Sequence, residues 1–263
     1  MRDISLALQE HRQKILSELQ VQESQILGVF LYGSQNYGIA TENSDVDTIA
    51  IVLPTEYDLY FSKPITKELH LENGEHCVVK DIREIFNEFK KQNVNFLEIL
   101  VTKYKWLNPI YAKNWEYLVF AWTKHIAYYD IIRGIKSICG QAKHTLHQAA
   151  RSEVIDGKKV ANAYRMYLYL KNYYNQESYE KCIMVKEGAD KEKIMLFKEG
   201  KKLPTQKDIK DLLKLFDVYE SAINDLPKEN INKDKIDTAL KDFMFHLCKK
   251  STQLNPYNWF FKK

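Results

Sequence analysis

Residues 29–52 read VFLYGSQNYGIATENSDVDTIAIV, and this stretch decides the fold of the chain. An apolar run of β-forming residues at 26–32 ends in Gly33-Ser34. A polar connection rich in turn-forming residues follows, and an Asp-Val-Asp triplet at 45–47 opens a second apolar run. The pattern predicts two strands joined by a polar connection, with small residues at its start and two acids at its end.

The two acids, Asp45 and Asp47, are predicted to act as a pair. Side chains alternate between the faces of an extended strand, so both carboxylates point to one face while Val46 points into the core. They lie roughly 7 Å apart along the strand and repel each other unless a cation sits between them. Oxygen ligands of this kind suit Mg²⁺ or Mn²⁺, which usually also hold substrate phosphates. The sequence therefore predicts Asp45 and Asp47 as catalytic metal ligands.

Gly33 and Ser34 are the predicted phosphate-binding residues. A glycine at a strand end lets a phosphate approach the backbone closely. If a helix starts at Ser34, its N-terminus and the serine hydroxyl add donors aimed at an anion. A phosphate cradle and a metal clamp, joined by a short connection, form the start of a site for phosphoryl or nucleotidyl transfer.

The two motifs together, Gly33-Ser34 and, ten residues later, Asp45-Val46-Asp47, resemble the signature of the DNA polymerase β nucleotidyltransferase superfamily. The surrounding residues are most similar to predicted nucleotidyltransferases of the RNA-repair-pathway type, which occur in bacteria and phages. The resemblance extends to about residue 105. It implies an α+β fold with a small mixed sheet and flanking helices, a metal-dependent enzyme, and a nucleoside triphosphate such as ATP as substrate. It also implies a third acid on a neighbouring strand, which helps to hold the metal or serves as base.

The third acid has two candidates, because the middle of the predicted strand after Asn73-Gly74 carries no carboxylate. Asp81, at the end of that strand, is the preferred third catalytic and metal-binding residue, although an aspartate just before a helix is also a favoured N-cap. Glu75, just after the turn, is the second candidate. With neither, the chain would be a slow, altered or inactive enzyme that still binds nucleotide.

The helical half supplies cations for the phosphates. Lys158, Lys159 and Arg165 lie on a predicted helix that loosely resembles the stretch where family members place basic residues facing the cleft. The resemblance implies phosphate contacts for all three. Glu98 is expected to be structural, satisfied by a nearby arginine or lysine.

Composition limits the class of protein. The chain has 263 residues, a net charge of +4 and 45% hydrophobic residues, which is ample for a packed core. The mildly basic charge is compatible with nucleotide or RNA but diagnostic of neither. The four cysteines form no Cys-x-x-Cys pair, which disfavours structural zinc and, without a secretory signal, predicts reduced thiols in a cytoplasmic protein. No apolar run approaches the ~20 residues that span a bilayer, so no membrane association is expected.

Hydrophobic periodicity divides the chain into a catalytic domain at 1–110 and an all-α C-terminal domain at 111–263. The elements predicted are a helix at 4–19, strands at 26–32 and 46–52, a hairpin at 67–82, a helix at 83–92, a strand or buried turn at 95–101, and helices at 111–120, 123–149, 159–173, 205–224 and 233–250. Trp259-Phe260-Phe261 is predicted to pack back on the body.

The leading hypothesis is a nucleotidyltransferase that moves a nucleoside monophosphate from a nucleoside triphosphate to a hydroxyl, releasing pyrophosphate. The acceptor would be an RNA end, a protein side chain or a small molecule, and the family context favours RNA. A nucleotide-binding regulatory protein on the same fold is the second hypothesis. An enzyme of the aminoglycoside-nucleotidyltransferase kind is the third, and the basic helical half argues against it. The sequence predicts no oligomeric state.

Overall fold

The structure, a computed structural model, describes residues 2–226 and 231–255. Within these residues five strands form one sheet, and eleven α-helices surround and extend it. The strands are β1 (Ile26–Tyr32), β2 (Asp47–Val52), β3 (Thr66–His70), β4 (His76–Asp81) and β5 (Lys105–Leu107). The helices are α1 (Ile4–Leu19), α2 (Glu56–Phe61), α3 (Ile82–Lys90), α4 (Val94–Leu97), α5 (Ala112–Ala127), α6 (Ile131–Ala150), α7 (Gly157–Tyr174), α8 (Tyr179–Ile183), α9 (Ala189–Lys198), α10 (Gln206–Ser221) and α11 (Lys233–Leu254).

The sheet is mixed, with strand order β3-β4-β2-β1-β5. The central pair β2 and β4 is parallel, whereas the other neighbours are antiparallel. In this register Asp47 lies opposite Tyr32 of β1, and Val52 lies opposite Asp81 of β4. The parallel strands therefore begin at one end of the sheet, beside Asp47, and finish at the other end, beside Asp81. We call the end of the strands at Asp47 the near edge of the sheet and the end at Asp81 the far edge.

The two faces of the sheet are covered differently. On one face α1 packs Leu8 and Ile15 against residues of the central strands, including Ala50 and Val79. Alternation along the strands places the apolar side chains of the same strands on the other face as well, which is the pattern of a strand buried on both sides. That second face joins the core of the helical part, where the ring of Phe30 lies 4.7 Å from that of Trp115.

The helical part packs back onto the sheet. Helices α6 and α7 pack together, and α7 also contacts α9 and α10. At the far end of the chain, the Ser251 hydroxyl on α11 donates to the carbonyl of Pro54, 3.0 Å away, and so ties the last described helix to the end of β2. One hydrophobic cluster contains residues from both sides of position 110. The predicted α+β class, with helices alone from Ala112 onward, is confirmed, while the division into two domains stays a prediction.

Four differences from the predicted elements have simple causes. Short elements escape periodicity analysis, so α2, α8, α9 and β5 were not expected. For residues 95–101 a strand or a buried turn was predicted, and residues 94–100 form α4 followed by a buried 3₁₀ turn. The helix starts here because the Asn93 side chain caps it at the Asn95 amide. Helix α5 continues to Ala127, beyond the expected end at 120. The break before α6 therefore falls at 128–130, where Asp130 caps the new helix.

Two further features concern the chain ends and the surface. Trp259-Phe260-Phe261 lies outside the described residues. Within the residues that the structure describes, every helix is too short or too polar to cross a bilayer.

Candidate functional site

The connection after β1 is a series of hydrogen-bonded turns, and no α-helix starts at Ser34. Gly33 has a φ of +97°, a conformation that side chains disfavour, and a Cβ placed there would meet no atom within 4 Å. The space in front of Gly33 is therefore open, as a phosphate cradle requires. The Gly33 amide, however, donates to the Glu98 carboxylate at 3.1 Å, so this N–H is already used.

Glu98 supports the turn from beneath. It is fully buried and accepts hydrogen bonds from the Gly33 amide, the Asn36 side chain at 3.4 Å and the Tyr37 hydroxyl. Burial raises the pKa of Glu98 to about 7, although nearby Arg165 and these hydrogen bonds oppose the shift. These contacts fit the structural role expected for Glu98. An arginine or lysine was expected as its partner, whereas the groups that donate hydrogen bonds to it belong to the turn.

A cleft of about 450 Å³ lies between this turn and the helical part. Tyr32, Gly33, Ser34 and Tyr37 line it on the sheet side. The structure brings all five predicted phosphate-binding residues together around this cleft, and it adds one cation: the helical wall carries Lys158, Lys159, Arg165 and Lys198.

Arg165 is a buried cation with an unused donor. Its side chain projects from α7, is 2% exposed and places the guanidinium 3.8 Å above the centre of the Tyr37 ring. Nε donates to Asn162 Oδ1 at 3.1 Å, while Nη1 has no hydrogen-bond partner among the described residues. A buried guanidinium nitrogen without a partner is costly, so an anion that enters the cleft and accepts from Nη1 would stabilise the site.

Lys198, at the end of α9, was missed from the sequence. Its Nζ donates to the Ile39 carbonyl at 2.8 Å and to the Ser44 hydroxyl at 3.3 Å, which joins α9 to the connection between β1 and β2. Burial, and next the nearby charge of Lys158, lower the pKa of Lys198 to about 8. Lysines are frequent throughout residues 186–202, so no local signal distinguishes this one.

Asp45 and Asp47 lie at the same edge of the sheet as the turn. Asp45 is exposed just before β2, and Asp47 is half-buried opposite Tyr32, a residue that lines the cleft. Burial is the largest cause of a raised pKa at Asp47, and the neighbouring charge of Asp45 adds to it, whereas His76 opposes it. The charge of Asp45 therefore acts on Asp47, but β2 begins at Asp47, so Asp45 lies just outside the strand and the alternation expected for the pair stays a prediction.

His76 occupies the position on β4 beside Asp47. Its Nδ1 lies 2.9 Å from Asp47 Oδ1, its amide donates to the same oxygen at 3.2 Å, and its Nε2 lies 2.6 Å from the Tyr32 hydroxyl. An imidazole therefore stands where a third carboxylate was sought. The sequence shows His76 on the opposite strand face from Glu75 and Asp81, but it does not show which face meets Asp47.

Asp81 was predicted as the third metal ligand, but the structure places it at the opposite end of β4 from Asp47. It is 1% exposed, pairs with Arg83 at 2.7 Å and caps α3 through the Arg83 amide at 2.9 Å. With a rise of about 3.3 Å per residue, the five residues from His76 place Asp81 about 16 Å from the edge that holds Asp47. Asp81 is therefore not a ligand of a metal held by Asp47, and its role as N-cap explains its presence.

Glu75, the second candidate, lies close to Asp47 but is already engaged. It is 4% exposed and accepts from the Val46 amide at 3.3 Å, from Arg2 at 3.1 Å and from Asn73 at 2.9 Å. His11 of α1 completes the set at 3.3 Å. Burial raises the pKa of Glu75, but the hydrogen bonds from Arg2, Asn73 and His11 outweigh it and lower the pKa. Glu75 therefore holds the backbone before β2 from the face covered by α1.

The donor set fits one metal ion and does not fit two. Across the described part of the chain, no three His, Cys, Asp or Glu side chains are grouped so that they could hold a metal ion. Mg²⁺, however, is usually bound through one or two carboxylates together with substrate phosphates. Asp45 and Asp47 can therefore hold Mg²⁺ or Mn²⁺ jointly with a nucleotide, whereas a second metal would lack its carboxylate.

Comparisons with known proteins add little. No family model matches the chain, and no curated protein matches it. Among solved structures, the chain is similar to a nucleotidyltransferase-like protein from Exiguobacterium sibiricum 255-15, with 13% identity and a TM-score of 0.30 over 94% of this chain and 77% of that one. At this TM-score the two chains share too little geometry for one to inform on the other.

Proposed function

We propose that the chain is a nucleotidyltransferase that binds a nucleoside triphosphate in the cleft and transfers its nucleoside monophosphate to a hydroxyl acceptor. The observation that carries the proposal is the meeting of two opposite charge sets at one place. The interacting carboxylates of Asp45 and Asp47 adjoin a cleft whose other wall is cationic and includes the unpaired nitrogen of buried Arg165. A polyphosphate bound through a divalent metal satisfies both sets at once.

The cationic wall would hold the phosphates. Lys158 and Lys159 are at the first turn of α7, and Arg165 and Lys198 approach from the middle of α7 and the end of α9. The open space in front of Gly33 and the Ser34 side chain would complete the cradle on the sheet side. Because the Gly33 amide is bound to Glu98, the glycine contributes space and conformation, and its N–H contributes to holding the turn.

Asp45 and Asp47 would hold Mg²⁺ or Mn²⁺ with the nucleotide. When bound, such an ion neutralises phosphate charge and polarises the phosphorus that is attacked. His76 and Tyr32 form a hydrogen-bonded chain to Asp47, which fixes the orientation of this carboxylate. The acceptor hydroxyl oxygen would form a bond to the α-phosphorus, and the bond from that phosphorus to the bridging oxygen would break. The hydroxyl proton would pass to solvent, and pyrophosphate would leave towards the cationic wall.

A second candidate, a nucleotide-binding regulatory protein, rests on a specific observation. The position beside Asp47 on β4 holds His76, Asp81 is paired with Arg83 at the other edge, and Glu75 is engaged by Arg2. Without a third carboxylate, the cleft would hold a nucleotide with slow transfer or none.

Labelling with each α-labelled nucleoside triphosphate, in Mg²⁺ or Mn²⁺ with cellular RNA or protein as acceptor, tests the proposal. We expect label to enter one acceptor class with matching pyrophosphate release. The double variant Asp45→Asn/Asp47→Asn should lose this transfer by about 100-fold or more while keeping its fold by circular dichroism. The matched control Asp211→Asn/Asp234→Asn removes two exposed acids elsewhere and should leave transfer unchanged.

The outcomes separate the two candidates. Full activity of the double variant would remove Asp45 and Asp47 from the site. Metal-dependent nucleotide binding by titration calorimetry, without transfer to any acceptor, would favour the regulatory protein. Absence of nucleotide binding would contradict both.

A further inference from the structure

A second concave surface lies between α5 and α11. Two adjoining cavities of about 550 and 470 Å³ share Tyr117 and Trp122, and together they form what we call the α5–α11 groove. On α11 the lining runs from Asn232 to His246, which at 1.5 Å per residue is about 21 Å of helix. The groove is long, open and separate from the cleft, because none of its lining residues lines the cleft.

Aromatic rings form part of its floor and rim. Tyr117 is 67% exposed although it is aromatic, and Trp122 is partly buried with its ring 5.6 Å from that of His125. Phe243 of α11 lines the second cavity and is backed by the ring of Trp115 at 6.3 Å. Flat rings held by a packed core and reached from solvent can stack on planar ligands.

Among the described lining residues of the groove, lysines outnumber acids. Lys113, Lys124 and Lys235 are exposed, and the described residues offer none of them an ion pair within 4 Å. Lys143 on α6, by contrast, is bound to Asp217 and Glu220 at 2.6 Å. Asp242 is the acid among the described lining residues, so three lysines face one carboxylate. Such a surface attracts an anionic partner.

The combination favours a single nucleic-acid strand over a folded protein. Lysine is depleted in the cores of protein–protein interfaces, whereas this groove has lysines along its length. Unstacked bases supply planar faces for the rings, and the phosphates pair with the lysines. The Asn114 amide carries a donor and an acceptor that can bind a ribose 2′-hydroxyl, which distinguishes RNA from DNA. The Asn232 side-chain oxygen caps α11 by accepting from the Lys235 amide at 2.9 Å, so this residue can offer the hydroxyl only its NH₂ donors.

We propose that the α5–α11 groove binds single-stranded RNA. This site goes beyond the proposed function and does not depend on it. If the transfer reaction uses an RNA acceptor, the groove would hold a part of that strand away from the reacting end.

Binding of a fluorescein-labelled 12-nucleotide RNA, followed by anisotropy between 50 and 300 mM salt, tests the site. The triple variant Lys113→Gln/Lys124→Gln/Lys235→Gln should flatten the slope of log affinity against log salt by about 2, since each lost phosphate contact contributes about 0.7 for a single strand. Tyr117→Ala should weaken binding about tenfold with little change in slope, because stacking carries no charge. Tyr117 is mostly exposed, so this variant should fold.

Matched controls separate the groove from general basicity. Lys207→Gln/Lys210→Gln/Lys214→Gln removes three exposed lysines from α10, so its net charge equals that of the groove triple variant. It should keep wild-type affinity and slope. A groove variant as tight as wild type would overturn the site, as would equal losses from both lysine triples. DNA of the same sequence or polyglutamate bound as tightly as RNA would overturn the assignment to RNA.

Discussion

Two cations of the cleft, Arg165 and Lys198, lie in different surroundings. The Arg165 guanidinium lies over the Tyr37 ring, 3.8 Å from its centre. Lys198 is an ammonium, so burial and the charge of Lys158 lower its pKa to about 8. One cation of the wall therefore titrates near physiological pH.

This difference predicts a pH dependence of nucleotide binding. Above about pH 8 the folded chain loses the Lys198 charge, so affinity for a triphosphate should fall by roughly tenfold, the order expected for one charge-assisted hydrogen bond. Between pH 8 and the ordinary lysine value of 10.5, the unfolded chain binds more protons than the folded one, so the free energy of unfolding should rise with pH. Calorimetric titration at pH 7.5 to 9.5 measures the first effect, and urea unfolding measures the second.

The conservative variant Lys198→Arg is the control. Its guanidinium keeps its charge across the range, so its affinity should stay flat from pH 7.5 to 9.5. A wild-type affinity that is equally flat would show that Lys198 does not contact the phosphates.

For single residues, the sequence predicted which side chains lie near one another better than it predicted their contacts. Gly33, Ser34, Asp45 and Asp47 were predicted from spacing, and the structure gathers them at one edge. The sequence predicted a close approach of phosphate to the backbone at Gly33, but it did not show that the Gly33 amide binds Glu98, 65 residues away. Contacts over such a separation depend on packing, which no local pattern encodes.

The element that most changes the site is β4. Its hairpin with β3 is visible in the sequence, because Asn73-Gly74 favours a two-residue turn. Its parallel pairing with β2 is not visible, and this pairing sends Asp81 to the far edge while it brings Glu75 and His76 to the near edge. Asp81 was wrongly predicted as a metal ligand because the sequence does not show in which direction β4 runs beside β2. Its alternative role as a helix N-cap was predictable from the sequence.

The two ends of β4 should respond differently to loss of a carboxylate. Asp81→Ala uncaps α3 and removes the carboxylate partner of Arg83, whose Nη1 keeps its bonds to the Asp58 and Ser62 carbonyls. It should lower the free energy of unfolding by about 2–4 kcal/mol without changing metal affinity. Glu75→Ala frees Arg2, His11 and the Val46 amide next to Asp47, so it should lower both stability and metal affinity. Urea unfolding measures the stability of the two variants, and titration with Mn²⁺ in the presence of nucleotide measures their metal affinity.

A reversed result would be informative. If Asp81→Ala abolished metal binding while its unfolding curve matched that of the wild type, the placement of Asp81 at the far edge would be wrong. Glu75→Gln is the control at the other end, since it keeps the shape of the side chain and part of its hydrogen bonding.

At the scale of the whole molecule, sheet and helices share one core. Phe30 of β1 packs on Trp115 of α5, and Ser251 of α11 bonds to Pro54. We therefore expect a single unfolding transition, with tryptophan fluorescence and far-ultraviolet circular dichroism giving the same midpoint. Two separated transitions would instead indicate independent domains on either side of residue 110.

The same measurement reports on the cleft. Because both halves contribute walls, a nucleotide at about 100 times its dissociation constant should add about 2.7 kcal/mol to the free energy of unfolding of the entire chain. The Asp45→Asn/Asp47→Asn variant should lose part of this gain in Mg²⁺. A nucleotide that shifts one of two transitions, and leaves the other in place, would contradict a shared cleft.

The cleft has a consequence for the order in which the protein is made. Its sheet-side wall at Gly33 and its helical wall at Lys158 are about 125 residues apart in the chain. Asp45 and Asp47 precede Lys158 by 113 and 111 residues. At 5–20 residues per second, these acids emerge from the ribosome roughly 6–23 s before the first cation of α7. During that interval a nascent chain has the proposed metal ligands but lacks the cations proposed to bind a triphosphate. We therefore expect no nucleotide binding in the cleft during translation until α7 and α9 have folded against the turn.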